Sequence, residues 1–439
     1  MSGQNVESSL LDPEFEHTPV PLAHRKPFAS VAAVWYSFPM VLTSAVIGGI
    51  VTALLGFKVG AAAILTGNMM LCVIVGALSY LAGKTGENFA ITAQKTFGRF
   101  GYYVVSGLLS TVVIGWFALM VGLTGDTMFR AFGANLLLMT LLGGVLYIGA
   151  TFIGIKALAI LGWIAAPLYV ILGGVSVVIA LKTGNADIFN YQPIATAGAM
   201  SFGAAVTLVF ATFSDSGTMT GDFTRWARNG REGFLAAFTA FPFAKFMAEM
   251  IGAVIVATGV VLSPELNGGD FISILSGQGT LLSILAVIFV FINLGVGCTH
   301  CLYNGAVGWS HMTGGKMRSL TLILGSIGVL VAMTGIWNAF QDWLNLLGLI
   351  VPPIATIIIM DRLVLHKKLA NHAQGAVTWR PLAFGAWGLA STVALVVNFY
   401  APELSVVACG IVSSAIFFFV GSLFVKPVTA TASMLRQGE

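Results

Sequence analysis

Apolar runs of about 20 residues recur along almost the whole chain, separated by short polar or glycine-containing joints. This pattern restricts the fold more than any motif does. A helix of about 20 residues spans a hydrocarbon core of roughly 30 Å and satisfies its own backbone hydrogen bonds there. Strands of a membrane barrel would instead show alternating ten-residue segments. Over 439 residues the chain is 57% hydrophobic and only 9% charged, against roughly 25% charged in soluble domains. It therefore reads as an all-α polytopic membrane protein.

Runs and breakers together place twelve transmembrane helices near 30–56, 59–83, 102–125, 134–155, 157–181, 197–219, 234–262, 277–305, 319–337, 340–360, 381–400 and 404–425. An even count puts both termini on one side. With that side cytoplasmic, every Lys and Arg lies inside except Lys58, Arg130 and Lys182 outside and Lys245 within a span, as the positive-inside rule requires. The organisation expected is a flexible cytoplasmic tail (1–27), a core of spans 1–10 (28–360), a cytoplasmic loop (361–380), spans 11–12 (381–425) and a cytoplasmic C-terminal tail (426–439). The polar start contains no apolar stretch ahead of a small-residue cleavage site, so no cleavable signal is expected. A bacterial inner membrane is the expected location.

Several function classes fall away. No soluble domain is large enough to house an enzyme, and of six histidines only His300 falls inside a span. The basic residues are scattered through short loops as topology demands, which argues against a nucleic-acid partner. Cys72, Cys298, Cys301 and Cys409 lie in or beside apolar runs, so a disulfide framework is not expected. In CTHC at 298–301 they read as small packing residues rather than metal ligands. The segment KTGENFAITAQKTFGRFG between spans 2 and 3 reads as an interfacial amphipathic piece. Transport of a small molecule is the remaining default, with membrane lipid as the surrounding partner and no enzymatic cofactor.

Transporters commonly bind substrate where helices break at the midplane. Span 1 carries WYSFPMVLTSAVIGG, in which Pro39 removes a backbone donor and Ser37 can satisfy freed groups. Span 6 carries ATFSDSGTMTG, polar in the middle of apolar sequence. These spans are five apart, the spacing of two inverted five-helix repeats. Asp215 is costly at such a depth; it serves either as a cap for the second half of span 6 or as a functional carboxylate. Lys245 and Glu249 are four apart on span 7 and can neutralise each other or carry a proton. Arg225, Arg228 and Arg231 read as cytoplasmic charges, with Asp222 as a nearby partner or cap.

The exit of span 6, SGTMTGDFTRWARN, resembles the G-T-x-T-x-D-F-x-R-x-x-R-N pattern of cytosine permeases in the nucleobase:cation symporter-1 family. GN at 67–68, LAGKTG at 81–86, GWF at 115–117, LYNGAVG at 302–308 and WLNLLGLIVPPIATIIIMD at 343–361 follow in order across most of the chain. The resemblance implies a 5+5 inverted-repeat core with discontinuous helices 1 and 6, two additional helices, and alternating-access import of a nucleobase-like ring coupled to a cation. It places Trp116 and Phe213 on the two faces of that ring, with Thr212, Ser214, Asp215 and Ser216 around its edge. Asp215 stands where those permeases carry a hydroxyl, and Val113 where they carry a glutamine. An acceptor is thus gained and an edge-reading group lost. An amino-substituted heterocycle is the expected substrate, with hydantoin, allantoin or a small guanidino compound, or uncoupled facilitation, as alternatives.

For a sodium site the resemblance implies the carbonyls of Ser37 and Met40 on span 1, together with Asn293 and two hydroxyls on span 8. Those hydroxyl positions hold Val296 and Gly297, and Thr299 is offset. The site is therefore expected to be weak or lost, with Asp215, the Lys245–Glu249 pair or His300 as proton carriers; His300 reads equally well as a packing residue.

Overall fold

The computed structural model describes residues 13–194, 200–336, 340–369 and 378–425. The described residues form helices and no strands. Among the described residues nine helices are long and apolar enough to cross a bilayer, and the pair Phe28–Ser37 and Leu42–Leu55, bent by 50°, makes a tenth if it is one span. Two shorter apolar helices, Phe202–Ala211 and Met317–Ala332, occupy the stretches expected for spans 6 and 9. Each of the twelve expected stretches is thus helical. Spans 3 and 8 run past the expected limits, as Gly101–Phe132 and Thr280–Thr313, and pack along each other, with Gly305 and Gly308 of span 8 against Ser110 of span 3. The tail 426–439, residues 1–12, and 370–377 of the loop after span 10 lie outside the described residues.

The outer surface is apolar: Val73, Val145, Ile171, Leu330 and Val412 point outward, as lipid contact requires. The interior is stitched by small residues. Gly252 on span 7 lies so close to span 1 that a Cβ there would fall 1.9 Å from the Ala45 carbonyl oxygen, and Gly48 meets the Glu249 carbonyl at the same distance. Without glycine these two backbones could not touch.

Span 1 breaks between Phe38 and Val41, around Pro39, and span 6 breaks at Thr212 and Phe213. The freed groups are satisfied chiefly by residues other than Ser37, whose hydroxyl donates to Val34 O within the helix (3.2 Å). The Ser44 hydroxyl donates to Pro39 O (2.7 Å), and Asn293 holds the break from span 8. Span 7 carries a π-helical turn, Ala240–Lys245, around Pro242, ending on its buried lysine.

Two expectations are corrected on the face that carries the N-terminal segment. Residues 13–26 are not a free tail; they fold against the helix ends, with Val20 N–H donating to Gly86 O and Lys26 N–H to Trp226 O. Composition alone predicts disorder here, but the buried Arg225 and the half-buried Arg25 supply donors that hold this segment. The span 2–3 connector is not an exposed amphipathic piece either. Its helix Phe89–Phe97 is mostly buried, capped by Asn88, and its first amide donates to Asp222 (3.0 Å).

Candidate functional site

The two breaks face a small cavity. Trp116 of span 3, Phe38 and Thr43 of span 1, Thr212, Phe213, Asp215 and Ser216 of span 6, and Cys301 of span 8 line it, with Val41 and Met120. Its free volume is about 10 Å³, room for about one water molecule. A planar ring therefore enters only if a wall such as Phe213 or Met120 swings aside. Trp116 and Phe213 come together as the resemblance implies, and an aromatic pair of this kind holds a flat solute by its faces.

Asp215 is 1% exposed. Its Oδ1 accepts from the Ser216 amide (2.7 Å) in the first turn of Ser214–Thr218, where a helix start favours negative charge. The other oxygen, Oδ2, is buried without a hydrogen-bond partner, with the Trp116 indole a near neighbour of the carboxylate. A buried acceptor left unmade is expensive and in native structures usually marks a ligand or water contact. Half of this carboxylate caps the helix, and half is available. Ser214 and Thr212 spend their hydroxyls on Ala211 O (3.2 Å) and Val209 O (2.8 Å), and Ser214 is not part of the cavity lining.

The sequence reading missed Phe38, Thr43, Met120 and Cys301 as cavity residues. Phe38 and Thr43 flank the Pro39 break, a signal that was present. Cys301 gave none: only helix packing turns it, rather than Cys298, toward the cavity.

Lys245 and Glu249 form a fully buried ion pair, with Nζ also donating to Val209 O (3.1 Å) and Asn68 Nδ2 donating to Glu249 Oε2 (2.5 Å). Nζ stands 5.8 Å from the centre of the Phe213 ring. The pair is neutralised, and it buttresses the cavity wall.

The oxygens implied for a sodium site are engaged within the chain. Met40 O accepts from Asn293 Nδ2 (2.7 Å), while Leu42 N–H donates to Asn293 Oδ1 (2.8 Å). Ser37 O accepts from the Met40 amide (3.1 Å). Gly297 faces the Met120 sulfur, where a Cβ would lie 2.5 Å away, and Thr299 turns its hydroxyl back to Val296 O (2.9 Å). Val296 and Gly297 bring no side-chain oxygen, so this set offers an alkali cation fewer ligands than a site with both hydroxyls. The Asn293 amide instead joins span 8 to the span 1 break directly. Close by, His300 bridges the same two spans: Nδ1 lies 2.7 Å from Val296 O and Nε2 3.0 Å from Val34 O.

Broken helices facing a small cavity, with two aromatic rings and a carboxylate in its wall, define a membrane transporter of the discontinuous-helix class. Residues 19–435 match the profile of the family described as permeases for cytosine/purines, uracil, thiamine and allantoin, and the chain belongs to that family. It is a permease and not an enzyme. The cytosine permease of Escherichia coli K12 is 29% identical over 383 residues, covering 87% of this chain and 89% of that protein; its counterpart from strain O157:H7 matches equally. Among solved structures, the transporter MHP1 of the nucleobase-cation-symport-1 family, closed with bromovinylhydantoin bound, aligns with TM-score 0.76 at 19% identity over 94% of this chain and 95% of its own. The inward-facing conformation of MHP1 follows at 0.74 and 16%, covering 98% of each chain. A Na+-coupled sialic acid symporter aligns at 0.68 and 12%, over 93% and 92%. At these identities the likeness to the solved structures is one of fold.

Proposed function

We propose that the chain imports a nucleobase or similar amino-substituted planar heterocycle by alternating access across the inner membrane, with the N-terminal face cytoplasmic. The observation that carries this reading is the Asp215 carboxylate, with only one oxygen spent on the helix start, in a cavity walled by Trp116 and Phe213. An amidine-like ring edge presents adjacent N–H donors that such a carboxylate accepts, while the aromatic faces take the ring. Purified protein screened by thermal shift against nucleobases, hydantoins and guanidines tests the substrate class. Stabilisation by aminopurines or aminopyrimidines that weakens in Asp215→Ser supports it, and an unchanged preference in that variant refutes it. A small guanidino cation is the second reading, favoured by a carboxylate beside two aromatic faces.

The coupling ion is proposed to be a proton. A neutral His300 has one N–H for two facing carbonyls, whereas the imidazolium donates to both and ties span 1 to span 8. The Lys245–Glu249 pair is already satisfied, which leaves His300 and Asp215 as the carriers. Concentrative uptake in vesicles, with a sodium gradient present or absent at fixed pH gradient, decides this. Strict sodium dependence overturns the proton reading, and equilibration without accumulation overturns coupling altogether in favour of a facilitator.

A further inference from the structure

At the N-terminal face the chain inserts one of its own carboxylates into the helix bundle. Glu14 is 3% exposed. Its Oε1 accepts from the amide of Ile155, the first residue of span 5 (3.1 Å), and its Oε2 from the Tyr303 hydroxyl on span 8 (2.7 Å). The preceding Gly154, at φ +93°, leaves the room: a Cβ there would fall 1.8 Å from Oε1. Arg225, fully buried at the exit of span 6, donates Nη2 to Glu14 O and Nη1 to Phe15 O, each at 2.8 Å. Glu16 accepts from the Met317 amide at the start of span 9 (3.0 Å), and its carbonyl accepts from Asn88 in the span 2–3 connector (2.7 Å). Three consecutive residues thus join five separate elements.

The same place closes a path from the cavity. Phe213 at the cavity wall meets Phe38 (5.0 Å between ring centres), Phe38 stacks on His300 (4.4 Å), His300 meets Phe223 (5.3 Å) and Phe223 stacks on Tyr303 (6.0 Å). Tyr303 is the residue that holds Glu14. A column of rings contributed by spans 1, 6 and 8 therefore runs from the cavity to the docked segment. Phe15 sits at φ +48°, a conformation unfavourable for a residue with a side chain, and its contacts hold it there.

We propose that the Ile155 amide and the Tyr303 hydroxyl form a carboxylate-binding site at the N-terminal-face mouth, with Arg225 gripping the adjoining backbone carbonyls, and that Glu14–Glu16 is its detachable in-chain plug, which must leave for that mouth to open. Spans 5, 6, 8 and 9 cannot separate while one short segment is bonded to all of them. The inference rests on the transport reading above for the meaning of the mouth, but the docking and its release can be measured without substrate.

The test uses full-length protein in detergent with Cys72, Cys298, Cys301 and Cys409 replaced by Ala and a reporter, Asn304→Cys, on span 8 beside Tyr303. Asn304 is fully buried. Labelling by a hydrophilic maleimide is expected to be slow in this background and at least about tenfold faster once Glu14→Ala or Tyr303→Phe is added. Tyr303→Phe keeps the ring on Phe223 and removes only the hydroxyl that reaches Glu14, so it covers the case in which Glu14→Ala misfolds. The ligand affinity of the cavity, read by thermal shift, should stay within about twofold. Labelling at the background rate in both folded variants overturns the plug. Absence of nucleobase binding in the protein with its native cysteines, with plug-dependent labelling intact, would sink the transport reading instead.

Discussion

Two buried carboxylates, one at each end of a single aromatic column, are treated in opposite ways. Glu14 has both oxygens accepting hydrogen bonds and its backbone carbonyl held by Arg225. Asp215 has one oxygen spent on a helix start and one with no partner. A group whose valences are all met stabilises the conformation in which they are met, and a group with one left over is set for something the chain does not supply. Glu249 belongs with Glu14: ion-paired to Lys245 and bonded to Asn68, it is committed. Burial by itself therefore does not set one acid apart in this protein; what distinguishes Asp215 is an unmet valence in a cavity wall, since Asp222 also keeps an unpartnered Oδ2 but lies outside the cavity lining.

The contrast breaks most visibly at the committed pair. Lys245→Met leaves Glu249 buried and uncompensated, at an expected cost of about 3–5 kcal/mol in stability, and adding Glu249→Gln should restore most of it. Thermal melting of the single and double variants checks this; a double variant no better than the single would show that the pair does more than neutralise itself. Next in size, Asp215→Asn should leave the melting temperature unchanged or raised, because an orphaned charge is removed. Affinity for an N–H-bearing ligand should meanwhile fall by roughly 10–100-fold, the worth of a hydrogen bond to a charged group. A calorimetric titration that shows undiminished affinity would place the ligand elsewhere.

Trp116→Ala should weaken binding by about 1–3 kcal/mol, the value of stacking a base on an aromatic ring, and Trp116→Phe should recover part of that. The smallest effect concerns pH at the plug. Burial raises the Glu14 carboxyl above its usual range, although the Tyr303 hydroxyl, the Arg225 charge, the Ile155 amide and Arg318 pull it back down. The docked state therefore holds its proton more tightly than a solvated Glu14 would. Rising pH should favour release and falling pH should favour docking. The Asn304→Cys labelling rate should accordingly climb more steeply with pH in the otherwise native protein than in Glu14→Gln, whose slope reports only the thiol.

Much of the fold was open to reading from the chain. The apolar runs, Pro39 in span 1 and the polar stretch in span 6 are local facts, and local facts survive folding when hydrocarbon forbids any unpaired backbone. Trp116, Phe213 and Asp215 were found because they sit on or beside those breaks or on motif positions. Cys301 and Met120 were not, because their relation to the cavity depends on how spans 3 and 8 rotate against span 1. Arg225 reads as a cytoplasmic charge, but its burial was not legible, since its partners Glu14 and Phe15 lie more than 200 positions away in the chain.

By itself, the sequence determined that this chain crosses a membrane as helices, where two of them break, and that a carboxylate stands at one break, because the bilayer and the missing proline N–H act on each segment alone. Only the tertiary structure decided which oxygens remain free. Asn293 closes on Met40, Met120 fills the space beside Gly297, and Glu14 reaches Tyr303, each through a contact between elements far apart in the chain. Whether a polar group is spent or available depends on its partners, and those partners are assembled only by packing.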